Sequence, residues 1–237
     1  MKQHILITGG SLNIGWAIAR RARLDGYHPI ILDQTPPEDR DIGEYHEVDL
    51  SDADATRAVL AEILRKRAIT RLVNNVGVVK PASLEELSLD DFDTVMALNV
   101  RTAAQCAQAL MPGMRDAGFG RIVNIASRTA LGKELRTFYG GSKAALISMA
   151  KTWALELAGF GITANAVAPG TIETTAFYRN NPPDAPKTRA IIDAIPAGRI
   201  GTPDDIANAV SFFLDERSGF VNGQALYVCG GLTVGRA

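Results

Sequence analysis

The 237 residues are 46% hydrophobic and 22% charged, enough to bury one substantial core and too apolar for a disordered or fibrous chain. Lys+Arg 25 against Asp+Glu 26 leaves a formal charge of -1, without the basic footprint of a nucleic-acid or anionic-membrane binder. Cys106 and Cys229 sit in apolar stretches and read as small buried hydrophobes. His4, His28 and His46 share no metal-ligand spacing, so no metal centre is expected.

The first apolar run, His4–Thr8, reads as a strand. Thr8-Gly9-Gly10-Ser11 cuts it too short for a signal-peptide core, and no apolar stretch is long enough to span a bilayer; a soluble cytoplasmic protein is expected. Helical spacing follows over Ile14–Leu24, a β-branched strand over Pro29–Asp33, and a further strand over Glu44–Leu50. Ser51 and Asp54 are spaced as a capping box for a helix from about 53 to 67. Leu72–Asn75 is strand-like. Leu89–Ala117 is helical, with Ser88 and Asp91 as a second capping signature and Pro112 expected to kink or divide it. Strands over 121–125, 162–168 and 225–228 alternate with helices over 137–158 and from Thr202-Pro203-Asp204-Asp205 to Leu214.

Strands alternating with helices predict an α/β fold: a single-domain, Rossmann-type, doubly wound parallel sheet with helices on both faces. No linker-like composition shift divides the chain, so residues 1–237 read as one domain. Its long irregular stretch, about 171–201, is expected to be a lid. The helical segments Thr102–Met111 and Tyr139–Ala158 are apolar nearly all round, which predicts a subunit interface.

Two constellations carry chemistry. A strand running through Thr8-Gly9-Gly10-Ser11-Leu12-Asn13-Ile14-Gly15 into a helix aims several backbone N–H groups at one point, a cradle for a pyrophosphate. Asp33, at the end of the second strand, is placed to accept hydrogen bonds from an adenosine ribose diol. Gln34 and Thr35 after it are neutral, as are Gly10, Ser11 and Leu12, so NAD is expected over NADP. Arg40 is the residue that works against this expectation. The second constellation is Tyr139 and Lys143, i and i+4 on one helix, where an ammonium near the phenol would lower its pKa from about 10.

With these residues in hand, the chain resembles the short-chain dehydrogenase/reductase family over essentially its whole length. Thr8–Gly15 resembles the family's T-G-x-x-x-G-I-G turn, with Asn13 in place of the middle glycine. Asn74-Asn75-Val76-Gly77 resembles N-N-A-G, with Val76 for alanine. Asn99 falls where the family places a helical asparagine. Asn124-Ile125-Ala126-Ser127 resembles the strand end carrying its serine, twelve residues before Tyr139, and Pro169–Thr174 resembles P-G-x-I-x-T. Cys229 stands where many relatives carry aspartate.

The resemblance implies an oxidoreductase interconverting an alcohol and a ketone or aldehyde by hydride transfer, with a small-molecule substrate. Ser127, Tyr139, Lys143 and Asn99 would be its catalytic residues. Gly9, Ser11, Asn13, Ile14, Gly15, Asp33, Asp49, Leu50, Asn75, Gly77, Tyr139, Lys143, Pro169, Gly170, Ile172 and Thr174 would hold the cofactor. Asp49 is assigned to the adenine edge and Gly77 to close approach of the ribose. A homotetramer or homodimer is expected. The alternative is a catalytically idle dinucleotide-sensing protein, which would need none of the four catalytic groups. Pocket walls are expected from 128–137 and the lid. Arg128, Arg136 and Arg179 there read as solvated loop charges, with contact to an anionic substrate as the alternative.

Overall fold

The computed structural model describes residues 3–234, so residues 1, 2 and 235–237, which fall within the expected single domain, lie outside it. Seven strands form one parallel sheet in the order β3-β2-β1-β4-β5-β6-β7. They are β1 (His4–Thr8), β2 (His28–Asp33), β3 (Glu44–Glu47), β4 (Arg71–Asn74), β5 (Gly120–Ile125), β6 (Ile162–Pro169) and β7 (Ala225–Val228). The order reverses between β1 and β4, and in open α/β sheets the crevice at such a switch point is where ligands bind.

Both faces of the sheet are apolar, and strand alternation divides the residues between them. Ile5 and Ile7 of β1 join Ala17 and Ile18 of α1 (Asn13–Leu24) and Ile206, Val210 and Phe213 of α8 (Pro203–Leu214). Leu6 between them joins the opposite layer. There it meets Leu60 and Ile63 of α2 (Ala53–Lys66), Leu110 and Met114 of α4 (Thr102–Asp116), and Trp153 of α5 (Thr137–Leu157). Cys106 lies in this second layer with a free thiol, which burial pushes up to about 12.

The doubly wound parallel sheet follows the expectation from sequence; several local features do not. β3 stops at Glu47 rather than Leu50, because the chain turns inward there and buries Val48 and Leu50 beneath α2. Asp52, not Ser51, caps α2, accepting from the N–H groups of Asp54 and Ala55. Ser88 precedes α3 (Leu89–Met96) without a side-chain capping bond. Pro112 does not divide its helix; α4 runs through it to Asp116. The interruption falls earlier, in a π turn over Ala97–Arg101 that carries Asn99. The stretch 171–201, expected to be irregular, contains two short helices, α6 (Thr175–Asn180) and α7 (Pro186–Asp193).

The sheet end opposite the crevice buries two arginines that the sequence pattern does not single out. Arg71 and Arg121 are register partners on β4 and β5, and both guanidinium groups lie over the Phe119 ring. Arg71 donates to the Leu214 carbonyl and Arg121 to those of Asp215 and Glu216, so the end of α8 is satisfied by the sheet.

Candidate active site

The glycine turn is built by backbone geometry that other residues resist. Gly9 has φ +65°, and a Cβ at Gly15 would stand 1.9 Å from the Gly9 carbonyl oxygen. That atom is backbone and cannot swing aside. Gly15→Ala is therefore expected to cost about 1–3 kcal/mol of stability, read from the denaturation midpoint. Asn13 takes φ 50° without difficulty, as asparagine does. Its side chain does more than tolerate the turn: Oδ1 accepts from the Thr175 N–H at 3.0 Å and Oγ1 at 3.2 Å, tying the turn to α6.

The α1 N-terminus points its unpaired N–H groups into this turn. Leu12 supplies no capping side chain and the first turn holds no acid, whereas α8 carries a full capping box from Thr202 and Asp205. Among the described residues, the buried Ser11 Oγ has no hydrogen-bond partner. An uncapped positive helix end, a glycine floor and an orphaned hydroxyl fit a phosphate-bearing group.

Asn75 closes the wall, donating to the carbonyls of Thr8 and Gly9. Asp33 accepts from the Ser11 N–H at 3.0 Å and the Gln34 N–H at 2.8 Å, so its carboxylate is fixed against the turn. Tyr45 donates to the Asp33 carbonyl, and Arg40 rests over the Tyr45 ring at 5.8 Å, which places Arg40 at the same sheet end as Asp33. Asp49 accepts from the Ser51 N–H and hydroxyl, bonds that hold its carboxyl below the usual range. The Leu50 side chain belongs to the core, and its carbonyl accepts from Thr102.

Ser127, Tyr139, Lys143 and Asn99 converge beside the C-terminal ends of β4 and β5. Ser127 follows β5, and its hydroxyl, which accepts from the Thr129 N–H, also faces the Tyr139 phenol. Lys143 is buried, donates to the Ile125 carbonyl at 2.8 Å and lies 5.6 Å from the Tyr139 ring centre. The π turn aims Asn99 inward: Oδ1 accepts from the Val78 N–H at 2.8 Å, and Nδ2 donates to Ser142 Oγ at 3.0 Å. A Cβ at Gly77 would lie 3.1 Å from Asn99 Oδ1 and 3.2 Å from Lys143 Nζ, so the glycine keeps both polar atoms accessible.

One electrostatic expectation is corrected. Burial raises the Tyr139 phenol above its ordinary value of 10.0; Ser127 and Arg136 pull it down without overcoming that. The same dehydration pushes the Lys143 ammonium down to about 8. Two groups in one dry pocket both move toward their neutral forms.

The remaining expected residues line the far wall. A Cβ on Gly170 would strike the Cys229 Cα at 2.6 Å, Ile172 bridges to Gly201, and the Thr174 hydroxyl caps α6 through the Phe177 N–H. A cavity of about 220 Å³ beside the 171–201 stretch is lined by Thr171, Ile172, Ile195, Arg199, Val228 and Cys229. Of the expected site residues only Ile172 borders it, so it lies apart from Tyr139.

The chain is similar to known proteins over most of its length. Residues 10–233 match the family model described as enoyl-(acyl carrier protein) reductase. A 3-oxoacyl-[acyl-carrier-protein] reductase of Rickettsia bellii is 34% identical over 235 residues, covering 97% of this chain and 96% of its own. The (2S)-[(R)-hydroxy(phenyl)methyl]succinyl-CoA dehydrogenase subunit BbsD of Thauera aromatica is 42% identical over 160 residues, 68% of this chain and 63% of that one. A crystal structure of a gluconate 5-dehydrogenase from Burkholderia cenocepacia, in complex with NADP and tartrate, superposes with a TM-score of 0.89 at 30% identity, covering 100% of this chain and 97% of that one. The chain belongs to the short-chain dehydrogenase/reductase family and is an oxidoreductase of that class.

Proposed function

We propose that this protein interconverts a small alcohol and its ketone or aldehyde, with NAD as the preferred dinucleotide and Tyr139 as general acid and base. The observation that carries the reading is the convergence of Ser127, Tyr139, Lys143 and Asn99 next to an uncapped helix end and a glycine cradle. An idle sensor needs the cradle and none of the four side chains.

Gly9, Ser11, Asn13, Ile14 and Gly15 would hold the pyrophosphate, Asp33 the adenosine ribose and Asp49 with Leu50 the adenine side. Asn75, Gly77, Tyr139 and Lys143 would border the second ribose, and Pro169, Gly170, Ile172 and Thr174 the nicotinamide. When bound, the dinucleotide supplies or accepts a hydride. Tyr139, protonated across the neutral range because burial raises its phenol, gives its proton to the substrate oxygen during reduction. Ser127 donates a hydrogen bond to that oxygen. Lys143, with one N–H committed to the Ile125 carbonyl, has others for a ribose and for the Tyr139 phenolate as it forms. Asn99, locked by Val78 and Ser142, would support a water relay to Lys143. Following dinucleotide absorbance with a panel of ketones, aldehydes and alcohols tests the reading; tight dinucleotide binding with no turnover anywhere in the panel favours the idle alternative.

The same reading includes a homodimer or homotetramer formed through α4 and α5. No helix among the described residues is long and apolar enough to cross a membrane, yet Leu155 on α5 is 87% exposed. Light scattering at micromolar concentration is expected to show two or four chains per particle; a single-chain mass contradicts this assembly.

A further inference from the structure

We infer that Asn13 and Thr175 form a latch across the dinucleotide path, which makes Asn13 a positioning residue that sets how fast the dinucleotide enters and leaves. The inference rests on the dehydrogenase reading and adds a control on its cofactor step.

Asn13 stands where the family turn has glycine, at φ 50°. Glycine takes that backbone at no steric cost, so what asparagine adds there is its side chain. Among the described residues only Asn13 and Leu135 combine a positive φ with a side chain. The Asn13 amide oxygen spends both lone pairs on one distant residue: it accepts from the Thr175 N–H at 3.0 Å and from the Thr175 hydroxyl at 3.2 Å.

Thr175 is the first residue of α6, and that helix depends on the partner. The opening N–H groups of a helix have no acceptor inside it. In α6 the Thr174 hydroxyl takes the Phe177 N–H at 3.1 Å, and Asn13 takes the Thr175 N–H from across the fold. Six residues are too few to hold a helix in water without such caps. Thr175, Phe177 and Tyr178 lie outside the buried cores. Tyr178 donates to Glu173 at 3.5 Å and Asn181 to the Phe177 carbonyl at 2.9 Å, bonds that stay within the segment. The Asn13 bonds reach out of it to the glycine turn.

The place of the pair is what makes it a latch. Asn13 opens α1, whose N–H groups would cradle the pyrophosphate, and Thr174, beside Thr175, would border the nicotinamide. The Asn13–Thr175 bonds therefore join the two walls between which the dinucleotide would run. The segment is anchored at its base by the Ile172–Gly201 bridge, where the Gly201 N–H donates to the Thr171 carbonyl at 3.0 Å and the Glu173 N–H to the Gly201 carbonyl at 2.8 Å. Both Asn13 bonds are solvent-exposed, so water replaces each partner as they part and the sheet is left undisturbed. A tie between the two walls slows entry and exit alike.

The test measures NADH and NADPH binding rates by stopped-flow fluorescence, and amide hydrogen exchange of the protein alone. Asn13→Gly removes both bonds while keeping the φ and the backbone N–H of the cradle. Thr175→Pro removes both donors from the other side. Proline suits a first helical position, and Thr174, at φ -137° and ψ 160°, already has the extended backbone that precedes a proline. Each variant is expected to raise the association and dissociation rates together by about 10-fold, leaving Kd within about 3-fold. The double variant is expected to match the single ones, because the same pair of bonds is lost each time. Thr175→Ser, which keeps both donors, is expected to restore wild-type rates. Exchange over residues 175–180 is expected to quicken about 10-fold in Asn13→Gly while β1 holds its rate. Dissociation that rises alone, with Kd rising in step, overturns the latch and makes Asn13 an ordinary dinucleotide contact. Unchanged rates or exchange overturn it too, as do effects that multiply in the double variant. A wild type that binds a dinucleotide yet reduces no ketone overturns the dehydrogenase reading, while the rates still decide the latch. A wild type that binds neither dinucleotide overturns both.

Discussion

Tyr139→Phe is expected to lower kcat for ketone reduction by about 10²–10⁴-fold, the usual contribution of a positioned general acid. A loss of about 10³ corresponds to about 4 kcal/mol of transition-state stabilisation. Dinucleotide affinity, measured by fluorescence, is expected to stay within a few-fold, because the ring remains and only the hydroxyl leaves. The pH dependence follows from the raised phenol. Alcohol oxidation needs the phenolate, so its rate is expected to rise with pH toward and beyond 10, while reduction uses the protonated form and holds across the neutral range. In Tyr139→Phe the rising oxidation limb is expected to vanish. Wild-type turnover in this variant would remove Tyr139 from the mechanism.

The second large effect concerns the choice of dinucleotide. A 2′-phosphate at the adenosine ribose would meet the Asp33 carboxylate, which the N–H groups of Ser11 and Gln34 hold in place. Like charges juxtaposed in this way cost several kcal/mol, so kcat/KM is expected to favour NAD by about 10²–10³-fold on one substrate. Arg40 is the counterweight, and its perch over Tyr45 puts it nearer Asp33 than its loop position in the sequence suggested. Arg40→Ala is therefore expected to widen the preference. Asp33→Ala is expected to narrow it, mainly by weakening NAD. Asp33→Asn, which keeps an acceptor for the Ser11 N–H, separates loss of charge from loosening of the turn. The gluconate 5-dehydrogenase structure holds NADP, so a measured preference for NADP here is the direct refutation.

The parts of this fold written in local pattern were legible before any coordinates. The buried strands announce themselves as short apolar runs, and the glycine turn as a strand running into a helix. What escaped depends on contacts between distant segments. A π turn has no hydrophobic period of its own, so the break at Asn99 was hidden while Pro112, a conspicuous breaker, sits harmlessly inside α4. Asp52 and Ser51 are equally good caps on paper; Ser51 is instead engaged by Asp49. The bond from Thr175 to Asn13 spans 162 positions, and the pairing of Arg71 with Arg121 requires the sheet register. The spacing of Tyr139 and Lys143 was readable, but the sign of the phenol shift was not, because desolvation depends on what covers the pair.

The central claim is that this site carries out hydride exchange with a carbonyl carbon while Tyr139 handles the proton. The most direct measurement is ketone reduction with a dinucleotide deuterated at nicotinamide C4, run in ordinary water and analysed by mass spectrometry of the alcohol. One deuterium is expected on the carbinol carbon of each product molecule formed from the labelled face, with the hydroxyl proton drawn from solvent. An alcohol formed without the label whichever C4 face carries it, or no alcohol formed although the dinucleotide binds, would contradict the account.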